Sequence, residues 1–200
     1  MERILSSKIY AHLQNNNILH RSQHGFCKNR STATNLLECL NDWTLTILSK
    51  EQHIVVYIDF SKAFDVVSHP KLFARLHAYG VRGSVLAWLK NFFAGCSHQT
   101  KIESALSDTA ELISGVVQGS GIGPLMFLTY INELITILES FGIKVKLFAD
   151  DVKMYLKIVH DVDIVKLQHA VTALVDWARD WQLSISIEKC CVLNIGQRIG

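Results

Sequence analysis

Apolar positions recur along this chain with two rhythms, and each predicts a kind of element. Helical spacing places a short helix over 3–15, with Ile4, Ile9 and Leu13 on one face. Ser31 or Thr32 can cap a second helix reaching about Lys50, with Leu36, Leu37, Leu40 and Ile47 as its apolar side. Pro70 opens a third helix, carrying Leu72, Phe73, Leu76 and His77 and stopping near Gly80. Ser84 begins a fourth, with Leu86, Trp88, Leu89, Phe92 and Phe93, that ends at Gly95. A fifth runs from Pro124 to about Glu139. The sixth starts at Asp161 or Asp163 and reaches about Trp181, with Leu167, Val171, Leu174 and Trp177 together. Trp88, Phe92, Phe93, Trp177 and Trp181 keep helical spacing and so are read as core rather than as stacking platforms.

Strand rhythm falls between the helices. The β-branched run 54–59 is short and continuous, as expected of a strand buried on both faces. Residues 98–104 and 109–114 read as a hairpin, 143–158 as a second hairpin, and 183–187 with 190–195 as two closing strands. Residues 16–30 are polar and irregular, and a glycine-rich loop spans Gly115 to Gly123. Strands interrupted by helix pairs predict an α+β domain with helices behind a sheet.

The candidate chemistry lies where the second hairpin turns. Asp150 and Asp151 sit between the apolar runs Ile143–Phe148 and Val152–Ile158. In a strand body adjacent side chains part to opposite faces, but at a tight turn both can face one space. Two carboxylates there repel unless a cation neutralises them, and a hard divalent ion with oxygen ligands suits them. Asp59, at the end of the 54–59 strand, can supply a third carboxylate, which suggests a two-metal nucleotidyl-transfer site.

Composition narrows the field. A content of 49% hydrophobic and 19% charged residues excludes a disordered chain. A net charge of +2 does not announce a nucleic-acid binder, although Arg3, Lys8, Arg21, Lys28 and Arg30 cluster near the start against Glu2. Five cysteines, without a CxxC pair, argue against a disulfide framework and for an intracellular, unsecreted protein. The nine histidines complete no zinc pattern. The longest apolar stretch, Pro124–Leu138, is broken by Asn132 and Glu133 and reads as a buried helix, so no membrane partner is expected.

Several motifs occur in a fixed order: Gln23-His24-Gly25-Phe26 with Arg30-Ser31-Thr32, then Tyr57-Ile58-Asp59-Phe60-Ser61-Lys62-Ala63-Phe64-Asp65. Next come Gly115-Val116-Val117-Gln118-Gly119-Ser120 with Gly123-Pro124-Leu125, and Tyr130-Ile131-Asn132. Phe148-Ala149-Asp150-Asp151, Trp181-Gln182-Leu183 and Glu188-Lys189-Cys190 complete the series. Over about 1–195 the chain resembles the reverse transcriptase of a non-LTR retrotransposon of the jockey-like group. The resemblance implies a reverse-transcriptase palm, an antiparallel sheet backed by helices, with partial fingers. Residues 1–53 would be the partial fingers and 54–200 the palm, with a finger-type insertion around 80–114 and the thumb absent. The implied reaction is RNA-directed DNA synthesis from dNTP onto a DNA primer on template RNA.

By position the resemblance makes Asp59, Asp150 and Asp151 ligands of two Mg²⁺ ions, for which Mn²⁺ can substitute. Phe64 resembles the steric gate against a ribose 2′-hydroxyl, the alternative being a core aromatic. Phe60 would be a further substrate-binding residue. Gln118 and Gly119 resemble the loop that meets the incoming nucleotide, and Arg30 would reach its triphosphate. Lys189 resembles a proton donor to pyrophosphate, with a salt bridge to Glu188 or a neighbouring acid as the alternative. Asp65 is expected to fix the turn before Pro70 rather than bind metal. Nucleus or cytoplasm would be the compartment.

The chain departs from the family pattern at Val117, where proline is usual, at Gly121, where an apolar residue is usual, and at Cys27-Lys28, where arginine is frequent. These departures and the short span lead to an expectation of weak or absent activity in isolation. A catalytically inactive nucleic-acid-binding remnant is the alternative. A palm-like nucleotidyl cyclase shares the paired acids but leaves Gln23–Thr32 and Gly115–Pro124 unexplained.

Overall fold

The computed structural model describes residues 1–196. These form two compact units: Met1–Ile18 with Phe64–Tyr130, and Leu19–Ala63 with the chain from Ile131 onward.

In the first unit, α1 (Glu2–Asn15) buries Ile9, Tyr10 and Leu13, while Ile4 lies exposed, against the expectation from spacing. Helix α2 (Thr32–Leu48) and strands β1 (Gln52–Ile58) and β2 (Phe60–Ser61) belong to the second unit. The first resumes with α3 (His69–Ala78), which has Pro70 in its opening turn, and α4 (Gly83–Phe93). The hairpin expected over 98–114 forms only two-residue pairings: β3 (Ser97–His98) with β6 (Ala110–Glu111), and β4 (Lys101–Ile102) with β5 (Ala105–Leu106). All four are exposed, since nothing covers Ile102 or Leu106 to reward a longer ladder. Helix α5 (Gly123–Glu139) begins in this unit and ends in the next.

The second unit is built on a four-stranded antiparallel sheet in the order β10-β1-β8-β7, adding β7 (Lys144–Phe148), β8 (Asp151–Ile158) and β10 (Cys191–Gly196). Helix α6 (Asp161–Asp180) packs along β8, and β9 (Ser184–Ile185) pairs with β2. Registers Val56↔Met154 and Val145↔Met154 put Val56, Val145 and Met154 on one buried face. Val55, Tyr57, Lys153 and Tyr155 lie on the other, which α2 covers through Cys39 and Trp43. The sheet is thus backed by helices as expected, and β1 is buried on both faces.

Helix α2, however, turns the opposite side inward from the one its leucines predict. Asn35, Cys39, Trp43 and Thr46 are buried, whereas Leu36, Leu37, Leu40 and Ile47 are exposed, Leu37 by 64%. The sheet face explains this. It presents Lys144, Lys146 and Lys153, which meet Asp42, Glu38 and Asn35 from the helix. Tyr155 also donates its hydroxyl proton to Asp42 at 2.7 Å. Turning the leucine side inward would strip these partners from Lys146, whose side chain is only 16% exposed, and from the half-buried Lys153, and a cation left unpaired there is costly. Among the described residues no helix is long and apolar enough to cross a membrane.

Candidate active site

The pair Phe148↔Asp151 closes the β7–β8 ladder, so Ala149 and Asp150 are the two central turn residues. Ala149 adopts φ of +57°, the left-handed region that two-residue hairpin turns use to match strand twist. A side chain there is disfavoured, and glycine would be the ordinary choice. Gln23, buried to 2% exposure, braces the turn instead. Its Oε1 accepts from the Ala149 N–H at 3.0 Å and the Gly25 N–H at 2.8 Å, while its Nε2 donates to the Ala149 carbonyl at 3.2 Å. The backbone reinforces the contact: Leu147 N–H donates to Ser22 and His24 N–H donates to Leu147, each at 2.9 Å. Gly25 lies so near that a Cβ on it would fall 2.2 Å from the Ala149 nitrogen.

Asp59 follows directly on β1, and its carbonyl accepts from the Ser186 N–H at 2.9 Å. That bond leads into the short 3₁₀ turn Ile187–Lys189, from which Lys189 Nζ reaches within 3.4 Å of Asp59 Oδ1. Of the two salt-bridge partners open to Lys189 in the sequence, the neighbouring acid takes it. Burial pushes the Asp150 carboxyl above the usual carboxylate range, and the Asp151 and Asp59 charges add to this against Lys189. Asp151 is raised by burial and by Asp59, with Lys189 and Lys153 opposing. The three acids and the lysine therefore share one field. Among the described residues, no three His, Cys, Asp or Glu side chains already converge as a ligand set. In chemistry the donors fit a hard dication: partly buried carboxylate oxygens whose mutual repulsion a cation relieves. A cleft of about 460 Å³ opens beside them, lined by Tyr57, Asp59, Phe148, Asp151, Lys153 and Lys189.

The remaining candidates divide. Phe60 is corrected to a core residue: it is 2% exposed, in β2, with its ring tilted 6.5 Å from Trp177. The Arg30 guanidinium is held by the Arg21 carbonyl and by His24 Nε2 at 3.0 Å. Burial, and then the Arg30 charge, hold the His24 ring below its ordinary pKa. In the first unit Phe64 is half-buried and stacks on Phe127 at 4.1 Å. Gln118 is exposed and donates to Asp65 Oδ1 at 2.7 Å, while Gly119 has φ of +79° and open space around it.

The family model described as reverse transcriptase (RNA-dependent DNA polymerase) matches residues 1–197. The chain belongs to the reverse transcriptase family. It is similar to the RNA-directed DNA polymerase from mobile element jockey of Drosophila melanogaster, with 23% identity over all of this chain and 22% of that protein. It is also similar to the probable RNA-directed DNA polymerase from transposon X-element of the same fly, 26% identical over 94% of this chain and 21% of that one. The chain thus spans about a fifth of the length of these curated relatives. Among solved structures, telomerase from Candida tropicalis in complex with a TWJ fragment of telomeric RNA matches with a TM-score of 0.70 at 12% identity, covering 96% of this chain and 33% of that one. The fold is that of a reverse-transcriptase palm.

The sequence alone points to no role for Gln23 or Gly25, nor to the bond from Gln118 to Asp65. A single buried amide has no periodicity to betray it. The signal in the sequence is the motif Gln23-His24-Gly25-Phe26 standing ahead of the helix cap.

Proposed function

We propose that this chain is the catalytic core of an RNA-directed DNA polymerase of the non-LTR retrotransposon kind, adding dNTP to a primer 3′-hydroxyl on an RNA template. The observation that carries the reading is the hairpin turn at Asp150 and Asp151, braced by Gln23, with Lys189 3.4 Å from Asp59 in the same unit. Asp59, Asp150 and Asp151 would hold two Mg²⁺ ions, with Mn²⁺ as substitute. When bound, such ions activate the attacking hydroxyl and neutralise charge on the leaving pyrophosphate. In this reading Lys189 balances the acids until a substrate arrives, and its ammonium would give a proton to the leaving pyrophosphate. Phe64 would test the sugar for a 2′-hydroxyl, and Gln118 and Gly119 would meet the nucleotide. Arg30 would reach a triphosphate only by leaving the Arg21 carbonyl. Residues 1–53 would serve as fingers and the remainder chiefly as palm.

The test is Mg²⁺- or Mn²⁺-dependent dNTP incorporation on a primed RNA template, with Asp150→Ala alongside. Incorporation that vanishes in the variant supports the reading. A folded chain that neither incorporates nor binds Mn²⁺ refutes it in favour of the inactive nucleic-acid-binding remnant, for which Val117 and Gly121 in the glycine loop speak.

A further inference from the structure

We propose that Asp65 is a positioning residue for the incoming deoxynucleotide, aiming the Gln118 amide from a glycine loop that other contacts already lock to the segment carrying Phe64. The inference rests on the polymerase reading above.

Two stretches of the first unit are joined bond by bond. Val116 N–H donates to the Phe64 carbonyl and Gly115 N–H to the Val67 carbonyl, each at 2.8 Å. The Ser114 hydroxyl donates to the Asp65 carbonyl at 3.0 Å, and a ring nitrogen of His69 donates to the Gly115 carbonyl at 2.7 Å. Gly115 has φ of +85°, and a Cβ on it would stand 2.6 Å from the Asp65 carbonyl oxygen, so only glycine lets the strands of chain approach this closely. The Asp65 carboxylate completes the set by accepting from Gln118 Nε2 at 2.7 Å, a charge-assisted bond.

That last bond is not needed to hold the backbone, which four other contacts already fix. Both side chains are exposed, and a glutamine there would otherwise sample many rotamers. With one Nε2 hydrogen given to Asp65, the Gln118 Oε1 and second hydrogen remain for a ligand in one orientation. The amide also covers a carboxylate that would repel a triphosphate. Phe64, stacked on Phe127, is joined through its carbonyl to the same loop. Asp65 thus acts on nucleotide affinity through Gln118 and touches no reacting atom.

The test titrates the whole chain with Mg²⁺–dNTP, following side-chain amide resonances by ¹⁵N NMR. Asp65→Ala and Gln118→Ala are each expected to weaken binding about three- to tenfold, the range of one hydrogen bond. The double variant should bind no worse than Gln118→Ala alone. Asp65→Asn, whose amide oxygen still accepts, should recover most of the loss, which a purely structural role of the charge would not allow. Should Asp65→Ala not fold, Gln118→Glu, which sets two carboxylates against each other, is expected to bind at least as weakly as Gln118→Ala. Wild-type affinity in Asp65→Ala, or losses that add in the double variant, overturn the proposal alone. A wild-type chain in which dNTP shifts no resonance refutes the polymerase reading and the proposal with it.

Discussion

Gln23→Ala is expected to loosen the acid turn more than any surface change of equal size. The substitution strands three backbone groups that the amide now satisfies: the Ala149 N–H, the Ala149 carbonyl and the Gly25 N–H. Each buried group left without a partner costs about 1–3 kcal/mol. The vacated side-chain space is large enough for one water, which can recover one or two of those bonds. The net loss is then about 2–4 kcal/mol, a large part of the roughly 5–15 kcal/mol that holds a domain together. Part of it should appear locally, because the left-handed Ala149 is itself disfavoured and relaxes once released. Urea unfolding reads the total, and hydrogen exchange at the Ala149 and Gly25 amides reads the local share. Gln23→Glu keeps the acceptor but loses the donor and buries a charge beside the acids, so it should cost more at neutral pH than in acid. A loss below about 1 kcal/mol in Gln23→Ala, with Ala149 exchange unchanged, would show that the amide is not what holds the turn.

Two further outcomes are expected. Lys189→Met should tighten Mn²⁺ binding, measured by calorimetry, because the ammonium competes with a cation for Asp59; its side chain is 67% exposed, so screening limits the gain to about fivefold. Weaker Mn²⁺ binding in that variant would mean that the lysine organises the acids instead of opposing a metal. On α2, Leu37→Lys and Leu40→Lys should each change stability by less than about 0.5 kcal/mol, whereas Trp43→Ala should cost about 3–5 kcal/mol. Thermal melts with the reverse ranking would put the leucine side inward.

Local signals were legible in the sequence. Ser31 does cap α2, with its hydroxyl accepting from Thr34 N–H, and Pro70 does sit in the first turn of α3. The acid turn was readable because apolar runs flank it and two aspartates cannot be core. What escaped were facts about partners. A stripe of leucines states that a face is apolar, not that it is the face turned inward. On α2 the lysines of β7 and β8, over a hundred residues away, bear on the matter by pairing with Glu38, Asp42 and Asn35. Phe60 carries the same lesson in reverse: a motif neighbour of Asp59 proves to pack on Trp177. Asp65 does lie in a turn before Pro70, but the sequence says nothing of its carboxylate's partner, Gln118, 53 positions away.

The brace between Gln23 and Ala149 joins positions 126 apart, and Lys189 and Asp59 are 130 apart. Such distances tie the acid cluster to the timing of synthesis. At about 5–20 residues per second, a ribosome needs about 6–25 s to add the 126 residues that separate Gln23 from its partner. Through that interval β1 has neither of its neighbours, since β8 and β10 both come later. Long-range pairing of this kind is slow to nucleate. A nascent chain that has not yet reached the acid turn therefore holds Asp59 alone, and the repelling carboxylates meet only after the strands that restrain them have been made.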